Sequence, residues 1–170
     1  MIKTKLNVGS GIRPMATKEN EWEDLDTRDL IPTPSHKDYR PDIVTSADDI
    51  PRKDDTYEKV YAHSILEHVR KGERLKFLGE WYRVLKQGGK VWISVPDMRL
   101  VAKMLVNSGL ADSQNLINLI YGEQNYPDNV HKWGYTKESI KADLLSVGFK
   151  NIVFSPPDRY PCELIVEAIK

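Results

Sequence analysis

The stretch that most restricts the fold is "KLNVGSG", residues 5–11, a short apolar strand running straight into two glycines separated by a serine. Glycine tolerates φ > 0 and carries no Cβ, so Gly9 and Gly11 allow a ligand close to the backbone. In a twisted parallel sheet, ligands bind outside the carboxyl ends of the strands. The segment therefore predicts an α/β sheet with a site at the end of its first strand.

The rest of the chain supplies the elements for such a sheet. "EWEDLD" (21–26) reads as a second strand ending at Asp26, "DIV" (42–44) as a third and "KVYA" (59–62) as a fourth. Between them, "IRPMATKEN" (12–20) is too short and too proline-interrupted for a crossover helix. "TRDLIPTPSHKDYRP" (27–41) holds three prolines and reads as loop. In residues 72–86, Leu75, Leu78, Trp81, Tyr82 and Leu85 fall at spacings of three and four, the period of an amphipathic helix. The "QGG" at 87–89 is expected to stop it. "KVWISVP" (90–96) reads as a buried strand. Helical patterns follow at 98–107, 113–121 and 136–147, the last ending at Gly148, and 150–155 and 162–169 read as a closing strand pair. The expectation is a sheet whose first three strands are parallel and sparsely covered by helices.

Composition narrows the partners. At 170 residues the chain reads as one domain, 1–170, able to bury roughly 70% of its unfolded surface. Positive and negative residues balance at 25 each, so no basic field is available for a phosphate backbone, and no nucleic-acid partner is expected. Cys162 is the single cysteine, which rules out an intramolecular disulfide and suits a reducing, cytoplasmic setting. No run approaches 18 apolar residues, so neither a signal peptide nor a membrane partner is expected.

Several common ligand motifs are absent. A dinucleotide fingerprint needs a third glycine where this chain has Pro14, which disfavours an NAD oxidoreductase. No P-loop follows the turn, and no nucleophile elbow surrounds Ser10. His63 and His68 stand five apart and no H-E-x-x-H occurs, so no metal site is expected from His63, Glu67 and His68.

Five segments, in order, carry a resemblance to class I S-adenosylmethionine (SAM)-dependent methyltransferases. "KLNVGSG" resembles their first motif and "WEDLD" their second strand ending in an acid. "KVYAHSILEHV" resembles the fourth strand with its "LEH" start, and "EWYRVLKQGGKVWISVPD" the helix–turn–strand that follows. "VHKWGYTKESIKADLLSVGFKNI" is similar to the late segments. The resemblance implies a Rossmann-like, mostly parallel seven-stranded sheet with an antiparallel last strand. SAM would lie across the carboxyl ends of strands 1 to 4, and S-adenosylhomocysteine would be the product.

It also implies site residues. Gly9, Ser10 and Gly11 match the turn beside the methionine part of SAM, with Asn7 where the family frequently has aspartate. Asp26 matches the acid that receives the ribose hydroxyls, with Asp24 a close competitor; a carboxylate suits a vicinal diol. Ser46 and Ala47 match the adenine turn, Ser46 standing where the family has aspartate, and Asp48 or Asp49 can substitute. His63 falls against the cofactor, or is an ordinary loop histidine. His68 reads as a tether. Asp97, Trp133 and Tyr135 are expected at the substrate mouth, and His131 as a catalytic base or a structural hydrogen-bonder. The implied activity is methyl transfer to the oxygen or nitrogen of a small-molecule or sugar-like acceptor. The alternative is a SAM-binding regulatory or interaction module of the same fold without turnover. The short first half leaves room for a homo-oligomeric neighbour to complete the site.

Overall fold

A computed structural model describes residues 2–11, 13–29 and 39–170. Its centre is one seven-stranded sheet in the order β3-β2-β1-β4-β5-β7-β6. The strands are β1 Lys5–Val8, β2 Trp22–Asp26, β3 Ile43–Val44, β4 Tyr57–His63, β5 Leu85–Pro96, β6 Lys150–Ser155 and β7 Glu163–Ile169. β1 pairs in parallel with β2 and β4, as do β2 with β3 and β4 with β5. β7 alone runs antiparallel, against both β5 and β6. The predicted α/β class and reversed last strand hold.

The helices are α1 Arg74–Val84, α2 Met98–Asn107, α3 Leu110–Tyr121 and α4 Lys137–Val147. Among the described residues no helix precedes Leu66, where a single 3-10 turn, Leu66–His68, follows β4. The loop expected at 27–41 lies mostly outside the described residues, as does Ile12 of the 12–20 segment. None of the helices described is long and apolar enough to cross a membrane.

Sheet and helices enclose a core of Leu6, Val8, Val60, Leu78, Trp81, Val91, Ile93, Ile140, Leu144 and Val166, each fully buried. Parallel strands covered on both faces become near-continuously apolar, as "VWISVP" shows. The end of α1 departs from expectation. The helix stops at Val84, ahead of the glycines, because Leu85 is already extended and pairs with Tyr57. Pairing resumes at Lys90 opposite Lys59, so "QGG" forms an excursion within β5 rather than the helix stop. A Cβ on Gly89 would stand 2.8 Å from the Lys86 carbonyl oxygen and 3.2 Å from that of Tyr57, which explains a glycine there. At α4 the local signals suffice: Thr136 and Ser139 form a reciprocal capping box, and Gly148 closes the helix with φ 113°.

Candidate functional site

The carboxyl ends of β1, β2 and β4 open into a cleft of about 1040 Å³. Its walls include Gly9, Ser10, Gly11, Asp26, Ser46, Ala47, His63 and His131, eight of the residues singled out from sequence. Asp26 and His63 end β2 and β4, the others sit in turns that follow β1 and β3, and His131 arrives on the segment between α3 and α4.

The glycine turn is built for close approach. Gly9 has φ 64° and Gly11 φ 50°, both in the left-handed region. A Cβ on Gly9 would meet Ile65 Cδ1 at 1.8 Å, so a side chain at that position would force Ile65 aside. Ser10 is buried, and its Oγ has no hydrogen-bond partner among the described residues. A buried hydroxyl beside a cleft is costly unless a ligand or water bonds it. The bare backbone and the orphaned hydroxyl fit a ligand with polar groups, as the methionine portion of SAM has.

Asp24 and Asp26, two residues apart, have different surroundings. Asp24 is wholly buried and accepts from Asn7 Nδ2 (2.7 Å), the backbone N–H groups of Met15 (2.8 Å) and Ala16 (2.7 Å), and the Tyr39 hydroxyl (2.5 Å). It anchors the chain that follows the glycine turn. Asn7, at the position where the family frequently has aspartate, spans Asp24 and the Arg13 carbonyl (3.2 Å). Asp26 lines the cleft. Its Oδ2 accepts from Gly11 N–H (2.9 Å), and its Oδ1 from the backbone N–H and Nε of Arg28 (3.0 Å each). Arg28, which the sequence reading passed over, also reaches the face of Tyr126, 5.7 Å from the ring centroid.

At the far end, the Ala47 carbonyl accepts from the indole N–H of Trp81 (2.9 Å), which pins the turn after β3 to the core. The Ser46 hydroxyl donates to the Asp48 carboxylate. That carboxylate also meets Lys76, so Asp48 faces α1.

His63 ends β4. Its Nε2 accepts from Arg13 Nη1 (2.8 Å), which places the ring proton on Nδ1, toward Ser64 and Glu163. Burial and then the Arg13 charge lower its pKa, and the ring is neutral at pH 7. Beside it Tyr61 and Trp92 stack, with centroids 4.3 Å apart.

His131 and His68 meet edge to face, centroids 4.9 Å apart. His131 Nδ1 donates to the Leu119 carbonyl (2.9 Å) and His68 Nδ1 to the Val130 carbonyl (3.1 Å). His68, expected to tether the start of the helix after β4 to its neighbours, thus bonds the segment before α4, and the helix there is a single 3-10 turn. Burial lowers the pKa of both rings, with their mutual repulsion a further cause at His68. Glu67, between them and the sheet, is 2% exposed, and burial lifts its pKa to about 8.

Three expected substrate contacts lie elsewhere. The Asp97 carboxylate is buried and accepts from the backbone N–H groups of Arg99 (2.9 Å) and Leu100 (3.4 Å), capping α2. Tyr135 is wholly buried in the core, bridged to Asp97 along the backbone. Trp133 packs on the core's edge with Lys71 5.0 Å above its ring. None of the three lines the cleft. Each follows a strand or falls in the polar loop, as a mouth residue would, but helix capping and core packing claimed the side chains. Tyr160, Arg159, Arg28 and Tyr126 line the cleft instead. Arg28 follows Asp26 by two residues, while nothing in the local pattern marks Tyr126, Arg159 and Tyr160, which the packing of distant segments brings there.

This strand order, with the glycine turn and acid on one cleft, is the fold of the class I SAM-dependent methyltransferases. Residues 21–93, from β2 into β5, match the family described as a methyltransferase domain. No curated protein is significantly similar to the chain. A SAM-dependent methyltransferase of Archaeoglobus fulgidus superposes with TM-score 0.66 at 13% identity, over 99% of this chain and 86% of that one. For one from Methanosarcina mazei the TM-score is 0.63 at 14% identity, over 99% and 91%. The 1,6-didemethyltoxoflavin-N1-methyltransferase of Burkholderia thailandensis, solved with 1,6-didemethyltoxoflavin and S-adenosylhomocysteine bound, superposes at 0.63 and 11% identity, over 99% and 71%. The chain therefore has the fold of these enzymes, and its residues 21–93 carry the match to a methyltransferase domain.

Proposed function

We propose that the chain, as one domain, binds SAM across β1, β2 and β4 and transfers its methyl group to the oxygen or nitrogen of a small-molecule or sugar-like acceptor. The observation that carries this reading is the pairing of the Gly9–Gly11 turn with the Asp26 carboxylate, 2.9 Å from Gly11 N–H, on one cleft. Bound SAM supplies an activated methyl on a sulfonium, so catalysis rests mainly on alignment. Asp26 receives the ribose diol once Arg28 yields an oxygen, and the turn at Ser46 and Ala47 borders the adenine. His63, neutral and held by Arg13, closes the cofactor side.

The acceptor side lies toward His131, His68 and Tyr160. A neutral His131, with Nδ1 holding a proton toward Leu119, leaves Nε2 able to take the acceptor's proton. The mixed charges of the wall (Arg28, Lys132 and Arg159 against Asp26, Glu123 and Asp128) favour a small polar molecule over nucleic acid or a membrane. This chemistry suits a cytoplasmic enzyme, alone or as a homo-oligomer.

Calorimetric titration with SAM and with NAD tests the cofactor, and transfer of labelled methyl to a panel of cell metabolites tests turnover. Binding of NAD but not SAM would overturn the reading. One observation favours a second reading, a SAM-binding module without turnover: Arg28 already occupies the carboxylate that the ribose needs. SAM binding with no methylated product across the panel would select it.

A further inference from the structure

The triad at the acceptor end, a buried Glu67 with the half-buried His68 and His131, has the makeup of a metal centre. One ring nitrogen each of His68 and His131 and a carboxylate oxygen of Glu67 lie within 4.8 Å of one another. Both histidines commit Nδ1 to a backbone carbonyl, Val130 for His68 and Leu119 for His131, and so present an unprotonated Nε2. A carbonyl on the far nitrogen fixes ring and tautomer, the arrangement that metal-ligating histidines almost always have. Glu67 is 2% exposed, and its Oε2 has no partner among the described residues. A buried carboxylate oxygen with no donor is expensive, and a cation removes that cost.

The backbone holds the three together before any ion arrives. The Glu67 carbonyl accepts from the N–H groups of Lys132 (2.7 Å) and Trp133 (3.1 Å), and His131 N–H donates to the Tyr121 carbonyl (3.0 Å). The 3-10 turn after β4 and the segment before α4 are thereby stitched at the ligands themselves. No local motif could show this, since the third ligand is remote in sequence; His63, in the trio from which no metal site was expected, faces Arg13.

We propose that Glu67, His68 and His131 form a binding site for a divalent transition metal, zinc by ligand type, with its remaining position open to the cleft for the acceptor's oxygen or nitrogen. Two imidazoles and one carboxylate are a donor set of catalytic zinc sites, which keep a fourth position for water or substrate. Bonds of about 2.0 Å set tetrahedral ligands about 3.3 Å apart, so the side chains close in modestly around the ion. All three residues line the cleft, which gives the fourth position access to a small ligand. The ion's use toward an acceptor rests on the methyltransferase reading; the ion's binding does not. With the ion in place, His131 acts through it by orienting the acceptor rather than as a free base.

The test is titration of the chelator-stripped, full-length protein with Zn²⁺ by calorimetry and with Co²⁺ by visible absorption, without SAM. The expected result is one equivalent per chain and cobalt bands of a low-coordinate nitrogen–oxygen site. Glu67→Gln, His68→Ala and His131→Ala should each weaken Zn²⁺ by about 100-fold or more, beyond the usual effect of losing an outer partner of a ligand. SAM affinity, titrated separately, should stay within twofold in His131→Ala. No stoichiometric uptake by the folded wild type, or uptake that survives both histidine variants, overturns the site. If His68→Ala fails to fold, His131→Gln decides between the same two outcomes. Zinc uptake with no SAM binding would leave the metal site standing and refute the methyltransferase reading alone.

Discussion

Arg28 clamps Asp26 from two residues away, Nε to Oδ1 at 3.0 Å and Nη2 to Oδ2 at 3.3 Å, on the carboxylate that also receives the glycine turn. On the proposed reading, the cofactor ribose would compete with the guanidinium for the same oxygens. Asp26→Ala should weaken SAM binding by about 1–3 kcal/mol, the range for leaving hydrogen-bonding groups unmatched. Arg28 is 38% exposed, so its ion pair is largely screened. Arg28→Ala should strengthen SAM binding by about twofold to fivefold, the release of a pair worth below about 1 kcal/mol. Calorimetry reads both, and a weaker Arg28→Ala complex would make Arg28 a cofactor ligand instead.

Asp24→Ala should behave differently. Its buried carboxylate satisfies four donors, from Asn7, Met15, Ala16 and Tyr39, so its loss should lower the melting temperature, by about 3 kcal/mol of stability. Denaturant unfolding of the Asp24→Ala and Asp26→Ala proteins checks the separation. Equal stability loss in the two would contradict it.

Gly9 is constrained by both conformation and space. Its φ of 64° and the 1.8 Å approach of a Cβ to Ile65 Cδ1 predict that Gly9→Ala costs about 2 kcal/mol or more. Ile65→Ala in the same chain should return the packing part and leave the backbone strain. A double-mutant cycle measures the split, and additivity would mean that the two residues do not meet.

His131→Ala should lower methyl transfer by about 100-fold or more while SAM affinity and the melting curve hold. The same loss is expected whether the imidazole takes a proton or holds an ion. Added Zn²⁺ separates the two: the wild type responds to it only if the ion takes part. Full turnover by the variant would reduce His131 to a loop residue.

His63 carries a pH dependence of stability. Burial, then Arg13, lowers its folded pKa below 6.5, so the unfolded chain binds the proton more readily. Its contribution is complete above about pH 6.5, and is lost as the pH falls from there through the lower folded value. His63→Asn should flatten that part of a stability–pH profile obtained by denaturant unfolding. An unchanged slope would assign it to other groups.

Much of the fold was legible before any coordinates. Alternation in residues 5–8, the three-and-four spacing of Leu78, Trp81 and Tyr82, and Gly148 after α4 are local signals. Local signals set local geometry because they act within one strand or one turn of helix. The glycine turn and Asp26 were legible for the same reason: the turn directly follows β1 and Asp26 ends β2. The end of α1 was not, because the pairing of Leu85 with Tyr57, a contact distant in sequence, overrode the glycines as a stop.

Tertiary structure alone decided which polar groups share a space. Asp97 looks like a mouth residue by position, yet its oxygens were taken by the N-terminus of α2. Tyr135 was expected at the same mouth, yet its ring fills the core. His131 came to rest on His68 beside Glu67 through strand order and the stitching of Lys132 to the Glu67 carbonyl. Sequence by itself determined the elements, their order and the ligand-ready turn, since these follow from the period and backbone freedom of short segments. The partners of each charge depend on the packing of distant segments, where burial makes an unpaired group costly and so selects which neighbours meet.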